Sequence, residues 1–129
     1  MATQTVGYAG ASVRRVLSQE SIDPFDSVTW ENHEARIDDA QGNLVFRQEN
    51  VRVPANWSQT ALNIVASKYF HGRIGTEGRE KGVDELIARV VFTIRAAGEQ
   101  QGYFSSLEAA DSFQAELTML LVGQYASFN

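Results

Sequence analysis

The 129-residue chain contains no cysteine. Disulfides, thiolate metal ligands and thiol nucleophiles are therefore excluded from it. Histidine is almost as scarce, with only His33 and His71. No carboxylates stand at a spacing that would complete a zinc site with them, and both read as surface residues. No apolar run is long enough to span a membrane. Met1 to Gly10 lacks the basic start and apolar core of a signal peptide, so a cytosolic location is the default expectation. Positive charge is also in deficit. Eleven Lys and Arg against sixteen Asp and Glu leave a net charge of −5. Arg14-Arg15 is the only tight basic pair, too little to displace counterions from a nucleic-acid backbone. A nucleotide as a small ligand remains compatible, since one or two backbone amides can hold a phosphate.

The apolar fraction of 43% is that of an ordinary globular protein, and the length suits one domain with a real core. Residues 1–22 show no sustained period and read as a flexible N-terminal arm, with a short helical turn over Val13 to Leu17. Folded structure is expected over residues 23–129, entered through Asp23-Pro24-Phe25-Asp26 with Phe25 as anchor. From Ser27 to Pro54 short strands are expected, three or four in number. Val28 and Trp30 alternate with polar neighbours, and so do Val51 and Val53. Ala35-Arg36-Ile37 and Leu44-Val45-Phe46 flank a β-hairpin turn closed around Gly42.

Three helices follow. The first starts from Ser58 as N-cap and runs to about Phe70, with Ala61, Ile64, Val65 and Tyr69 on one face and Leu62 beside them. The second carries Val83, Leu86, Ile87, Val90, Val91 and Ile94 at helical spacing, with Asp84 and Glu85 at its start and Gly98 placed as its C-terminal cap. The third opens with a capping box of Ser105 and Glu108 and buries Leu107, Ala110, Phe113, Leu117, Leu120 and Leu121, running to about Tyr125. The fold class is thus α+β, a small β-hairpin region followed by a three-helix layer.

No chemistry stands out. Gly72 to Arg79 has the glycines and arginines of an anion cradle, but lacks the Gly-Lys-Ser/Thr of a P-loop and reads as a helix–helix connector. The carboxylate pairs Asp38/Asp39, Asp84/Glu85 and Glu108/Asp111 lie in turns or at helix starts, where capping and solvation explain them. Nucleophile elbows and His-Glu-x-x-His are absent. No catalytic, cofactor-binding, substrate-binding or metal residue is assigned.

One string is more specific. Val53-Pro54-Ala55-Asn56-Trp57-Ser58-Gln59, with Asn63-Ile64-Val65-Ala66-Ser67-Lys68-Tyr69-Phe70, resembles the N-terminal region of adenosylcobalamin-dependent (class II) ribonucleotide reductases. The resemblance extends back to Asp23 and forward through Arg89-Val90-Val91, Gly102-Tyr103-Phe104, Phe113, Glu116-Leu117 and Gln124 to Ser127-Phe128-Asn129. Gly82 departs from the serine that often caps the second helix in that family. The resemblance implies a segment that precedes a ten-stranded α/β barrel and packs against it. The complete enzymes reduce the ribose 2′-hydroxyl of ribonucleotides in DNA precursor synthesis: adenosylcobalamin homolysis creates a thiyl radical on a cysteine in that barrel, and a second pair of cysteines supplies the reducing electrons. The radical cysteine, the reducing cysteines, the cobalamin contacts and the substrate pocket lie downstream of the region matched. The expected partner is therefore the downstream catalytic-barrel polypeptide. Ribonucleotide binds only in the complete enzyme, and no cofactor binds this chain alone. In the family Phe-Asn is followed by Ser-Pro, so Phe128-Asn129 implies a chain interrupted before the substrate pocket, as in a split, intein-interrupted or truncated gene. The alternative expectations are a stand-alone binding or regulatory module that docks on an intact reductase, and a small independent enzyme.

Overall fold

The computed structural model describes residues 10–127. Phe128-Asn129 and most of the Met1–Gly10 stretch lie outside the described residues. The chain divides into two compact units. One comprises residues 28–87; the other is formed by the described residues on either side, 10–27 and 88–127.

The first unit is built on a hairpin of two antiparallel strands, β1 (Trp30–Asp38) and β2 (Leu44–Pro54). The turn forms where it was expected. Asp39 accepts from the backbone N–H groups of Gln41 (2.9 Å) and Asn43 (2.8 Å), and Gly42 takes a positive φ of 85°. Only glycine adopts that conformation without a steric cost. The expected three or four strands are in fact two. The polar run Arg47 to Asn50, which breaks the alternation in sequence, is carried inside β2 by a register irregularity opposite His33 and Ala35. There Asn50 adopts a φ of 54°, absorbing the extra residue of a β-bulge.

Helix α1 (Gln59–Lys68) packs across both strands. Ser58 is its N-cap, accepting from the N–H of Ala61 at 3.0 Å. Its most buried residues are Leu62 and Ala66, with Phe70 just beyond, so the inward face is turned one residue from the expected Ala61/Ile64/Val65 stripe. The inner surface of the hairpin supplies Ala35, Val51 and Val53. Both outer edges of the hairpin are occupied. The N–H of Arg36 donates to Asn63 (3.0 Å), Gln59 donates to the carbonyl of Glu34 (2.7 Å), and on β2 Arg52 N–H reaches the carbonyl of Lys81 (3.0 Å).

Helix α2 (Val83–Gln100) spans the division between the units. Gly82 precedes it and is buried beside Arg52, whose Cβ would lie 2.8 Å from any added side chain. No serine cap is needed: Arg52 holds Asp84 (3.2 Å) and Glu85 (2.9 Å), the two acids of the first turn. Val83, Leu86, Ile87 and Val91 are buried as expected, whereas Ile94 is exposed. The helix also runs past Gly98. Its end falls at Gly102, which has the positive φ (71°) of a C-terminal cap. Gly98 serves another purpose, since a Cβ there would meet the Phe104 ring at 2.7 Å.

In the second unit, helix α3 (Leu107–Val122) is capped by Ser106 rather than Ser105, with Ala109 donating at 3.0 Å. The N–H of Ser105 is already committed to the carbonyl of Ala11 (3.1 Å). Leu107 is consequently exposed, and the buried set is Ala109, Ala110, Ala115, Glu116, Thr118, Leu121 and Val122. Phe104 and Phe113 meet with ring centroids 5.2 Å apart. A short 3-10 helix, Pro24–Ser27, packs on α3. No helical turn forms over Val13 to Leu17. The amides of Val16 and Leu17 donate instead to Glu116 on α3.

Candidate functional site

Each unit contains one polar centre, and neither centre is a pair of reacting groups. In the first unit the connector 72–79 folds back so that the Arg79 guanidinium is buried, with 9% of the residue exposed. It donates to the carbonyls of Ala66 (2.7 Å), Phe70 (3.1 Å) and Gly72 (3.0 Å), and to Gln48 (2.9 Å). Gln48 in turn donates to the carbonyl of Glu80 at 2.9 Å. The guanidinium also lies over the rings of Phe70 and Phe46, at 5.5 and 5.8 Å from their centroids. Burial pushes its pKa below the usual arginine value. These carbonyls are at the C-terminal end of α1, where helix dipoles concentrate negative charge and lack intrahelical donors. Arg79 is therefore a capping cation.

The glycines of the same stretch are explained by that closure. A Cβ on Gly72 would lie 2.1 Å from the carbonyl oxygen of Gly78, and its φ is 90°. Gly72→Ala is expected to cost about 2–3 kcal/mol, from backbone clash and left-handed strain together, measured as a lower urea midpoint. The cradle's turns are internally bonded as well, Thr76 N–H to Arg73 O and Arg79 N–H to Thr76 O, both at 3.1 Å. The geometry is that of a connector.

The second centre was not singled out for chemistry in the sequence. Glu116 sits in the apolar stripe of α3 with only 7% of the residue exposed. Its carboxylate accepts from the amides of Val16 (2.9 Å), Leu17 (2.9 Å) and Ser18 (2.7 Å) and from the Ser18 hydroxyl. Burial alone would raise its pKa. The Ser18 hydroxyl and the three amides outweigh burial and hold it at about 2. Successive amides converging on one oxyanion form a nest, here filled by the chain's own carboxylate. The signal was an acid spaced three residues from Phe113 and one turn from Leu120, on a face otherwise apolar.

Beside Glu116 runs a polar groove of about 410 Å³, lined on one wall by Arg15, Glu20 and Asp23 and on the other by Arg95, Asp111 and Gln114. Arg95 donates to Asp111 and Gln114, both at 2.7 Å, and lies 3.5 Å from Glu99. Of the other carboxylates considered in the sequence, Asp38 is engaged with Arg36, Asp39 in the hairpin turn, and Asp84 and Glu85 with Arg52, while Glu108 lies in the first turn of α3. Backbone donation from Asn43 is the main force holding Asp39 below the ordinary carboxylate range. His33 pairs with Glu31 at 2.8 Å. Among the described residues, no group of three or more His, Asp or Glu side chains is placed to hold a metal ion. No helix among the described residues is long and apolar enough to cross a membrane.

Residues 31–76, from β1 into the connector, match the family model described as class II vitamin B12-dependent ribonucleotide reductase. A vitamin B12-dependent ribonucleotide reductase of Streptomyces clavuligerus is 41% identical over 121 residues, covering 93% of this chain and 13% of the relative. That of Rhodopirellula baltica is 43% identical over 107 residues, covering 82% of this chain and 10% of the relative. The chain is similar to the N-terminal segment of vitamin B12-dependent ribonucleotide reductases. It spans about a tenth to an eighth of the length of those two relatives. The match to the class II reductase model thus includes both Trp57-Ser58-Gln59 and the Ala66 to Phe70 carbonyls that Arg79 caps. A second groove, of about 560 Å³, is lined by Val13, Arg14, Arg15, Glu20, Glu108, Asp111 and Ser112, and the vitamin B12 of the relatives' name is a large cofactor. Large cofactors bury most of their surface in enclosed, mainly apolar pockets. The grooves of about 410 and 560 Å³ are lined mostly by charged and polar side chains, and these residues do not fit a corrin.

Proposed function

We propose that this chain is the N-terminal part of an adenosylcobalamin-dependent ribonucleotide reductase, an enzyme that converts ribonucleotides to deoxyribonucleotides for DNA synthesis. Its contribution is a folded scaffold for a catalytic-barrel polypeptide, which supplies the reacting cysteines, the cobalamin site and the substrate pocket. The observation that carries this reading is the 41% identity over 93% of the chain to a reductase roughly eight times longer. The polar centres agree with it. Arg79 and Glu116 are spent on holding backbone in place, and in the groove Arg95 is paired with Asp111. Such groups position structure; general acid–base work needs two titratable groups whose environments separate their pKa values around neutrality.

The test is a chimera in which this sequence replaces the matching N-terminal segment of the Streptomyces clavuligerus relative. Adenosylcobalamin-dependent deoxyribonucleotide formation is expected to stay within about tenfold of the parent, an activation difference of about 1.4 kcal/mol. Deletion of the segment is expected to abolish it. Turnover by this chain alone would overturn the proposal. So would saturable binding to an intact reductase combined with an inactive chimera, the behaviour of a separate regulatory module.

A further inference from the structure

The stretch from Ala11 to Ser18 is attached in an unusual way. Its apolar side chains contribute only partial burial: Val16 is 71% exposed, Val13 38% and Leu17 37%. The attachment is polar and concentrated at two points. At one end the N–H of Ala11 donates to the carbonyl of Tyr103 (2.5 Å) and its carbonyl accepts from Ser105 (3.1 Å). At the other, Val16, Leu17 and Ser18 all depend on the single carboxylate of Glu116. Within this stretch Arg15 alone lines the groove of about 410 Å³, beside Glu20 to Phe25 and facing Arg95, Asp111 and Gln114.

We propose that residues 11–18 form a strap latched to α3 by Glu116, which opens as a unit, carrying Arg15 out of the groove wall, while α3 stays folded. Opening exposes the covered parts of Val13 and Leu17 but leaves Ala110, Leu121 and Val122 of α3 buried, so the hydrophobic term resists it far less than it resists global unfolding. What it breaks is a set of charge-assisted hydrogen bonds to one residue, each about twice as strong as a neutral one. The hydrated carboxylate recovers part of that loss. An element with few buried apolar contacts belongs at the low-stability end of a domain, where lids and straps are drawn from. This proposal is independent of the reductase assignment.

Native-state hydrogen exchange on the 129-residue chain, followed residue by residue at rising sub-denaturing urea, tests it. The amides of Ala11, Val16, Leu17 and Ser18 are expected to exchange at least about tenfold faster than the slowest amides of α3, with almost no urea dependence. If instead they share the steep urea dependence of α3, the strap opens only when the unit unfolds and the proposal is wrong. In Glu116→Gln the same four amides are expected to lose most of their protection while α3 amides remain slow. Retained strap protection, or loss of α3 structure in this variant, would equally overturn it.

Discussion

Replacing Arg79 with alanine is expected to lower stability by about 3–5 kcal/mol, because the buried carbonyls it serves would each lose their donor at about 1–3 kcal/mol apiece. Those carbonyls belong to Ala66, Phe70 and Gly72, and Gln48 would lose its partner as well. Water entering the vacated space returns part of the loss, which is why the expected total is below the sum of the bonds. Arg79→Met separates the contributions: it restores apolar volume against Phe46 and Phe70 but no donors, and is expected to recover less than half. Arg79→Lys is expected to do little better. An ammonium is a compact charge without the planar fork that reaches four acceptors in different directions. Urea unfolding of the three variants measures this ranking. A loss below 1 kcal/mol for Arg79→Ala would show that the network does not hold the connector.

Acid is expected to act chiefly through Glu116. Its pKa of about 2, against an ordinary value of 4.5, corresponds to about 3 kcal/mol of stability at neutral pH. The sign follows from the direction of the shift. A carboxylate whose pKa is depressed on folding stabilises above its unfolded pKa, and that contribution disappears as pH falls through the folded one. Stability should therefore be level near pH 7, begin to fall below about pH 5 and continue falling to about pH 2. Glu116→Gln should be about 2–3 kcal/mol less stable than the parent at pH 7, and the difference should close as pH approaches 2. Denaturant midpoints at several pH values give both curves. Parallel curves down to pH 2 would mean that Glu116 titrates normally.

Local features were legible where short-range chemistry decides them. The Asp39 to Asn43 turn, the Ser58 cap and the buried residues Val83, Leu86, Ile87 and Val91 all follow from contacts within a few positions. The misplacements arose wherever a distant partner intervened. Ser105 looks like a cap, but Ala11 claims its amide and passes the role to Ser106. Gly98 looks like a helix terminator, yet it is small because the Phe104 ring lies against it. The α1 face shifted by one residue because Leu62 and Ala66 pack toward a hairpin whose register depends on a bulge at Asn50. Glu116 was the least accessible to sequence reasoning. Its partners lie 98 to 100 residues away, in a stretch with no pattern of its own.

The guarded hairpin carries a final consequence, for behaviour at high concentration. A two-stranded sheet has nothing but edges, and open edges recruit other chains into growing sheets. Here Asn63 and Gln59 of α1 satisfy the outward amide of Arg36 and carbonyl of Glu34, while Lys81 covers Arg52 on the opposite side. A second molecule approaching either edge at its middle meets backbone groups that are already paired. Helix α1 thereby protects the sheet against self-association as well as covering its inner face.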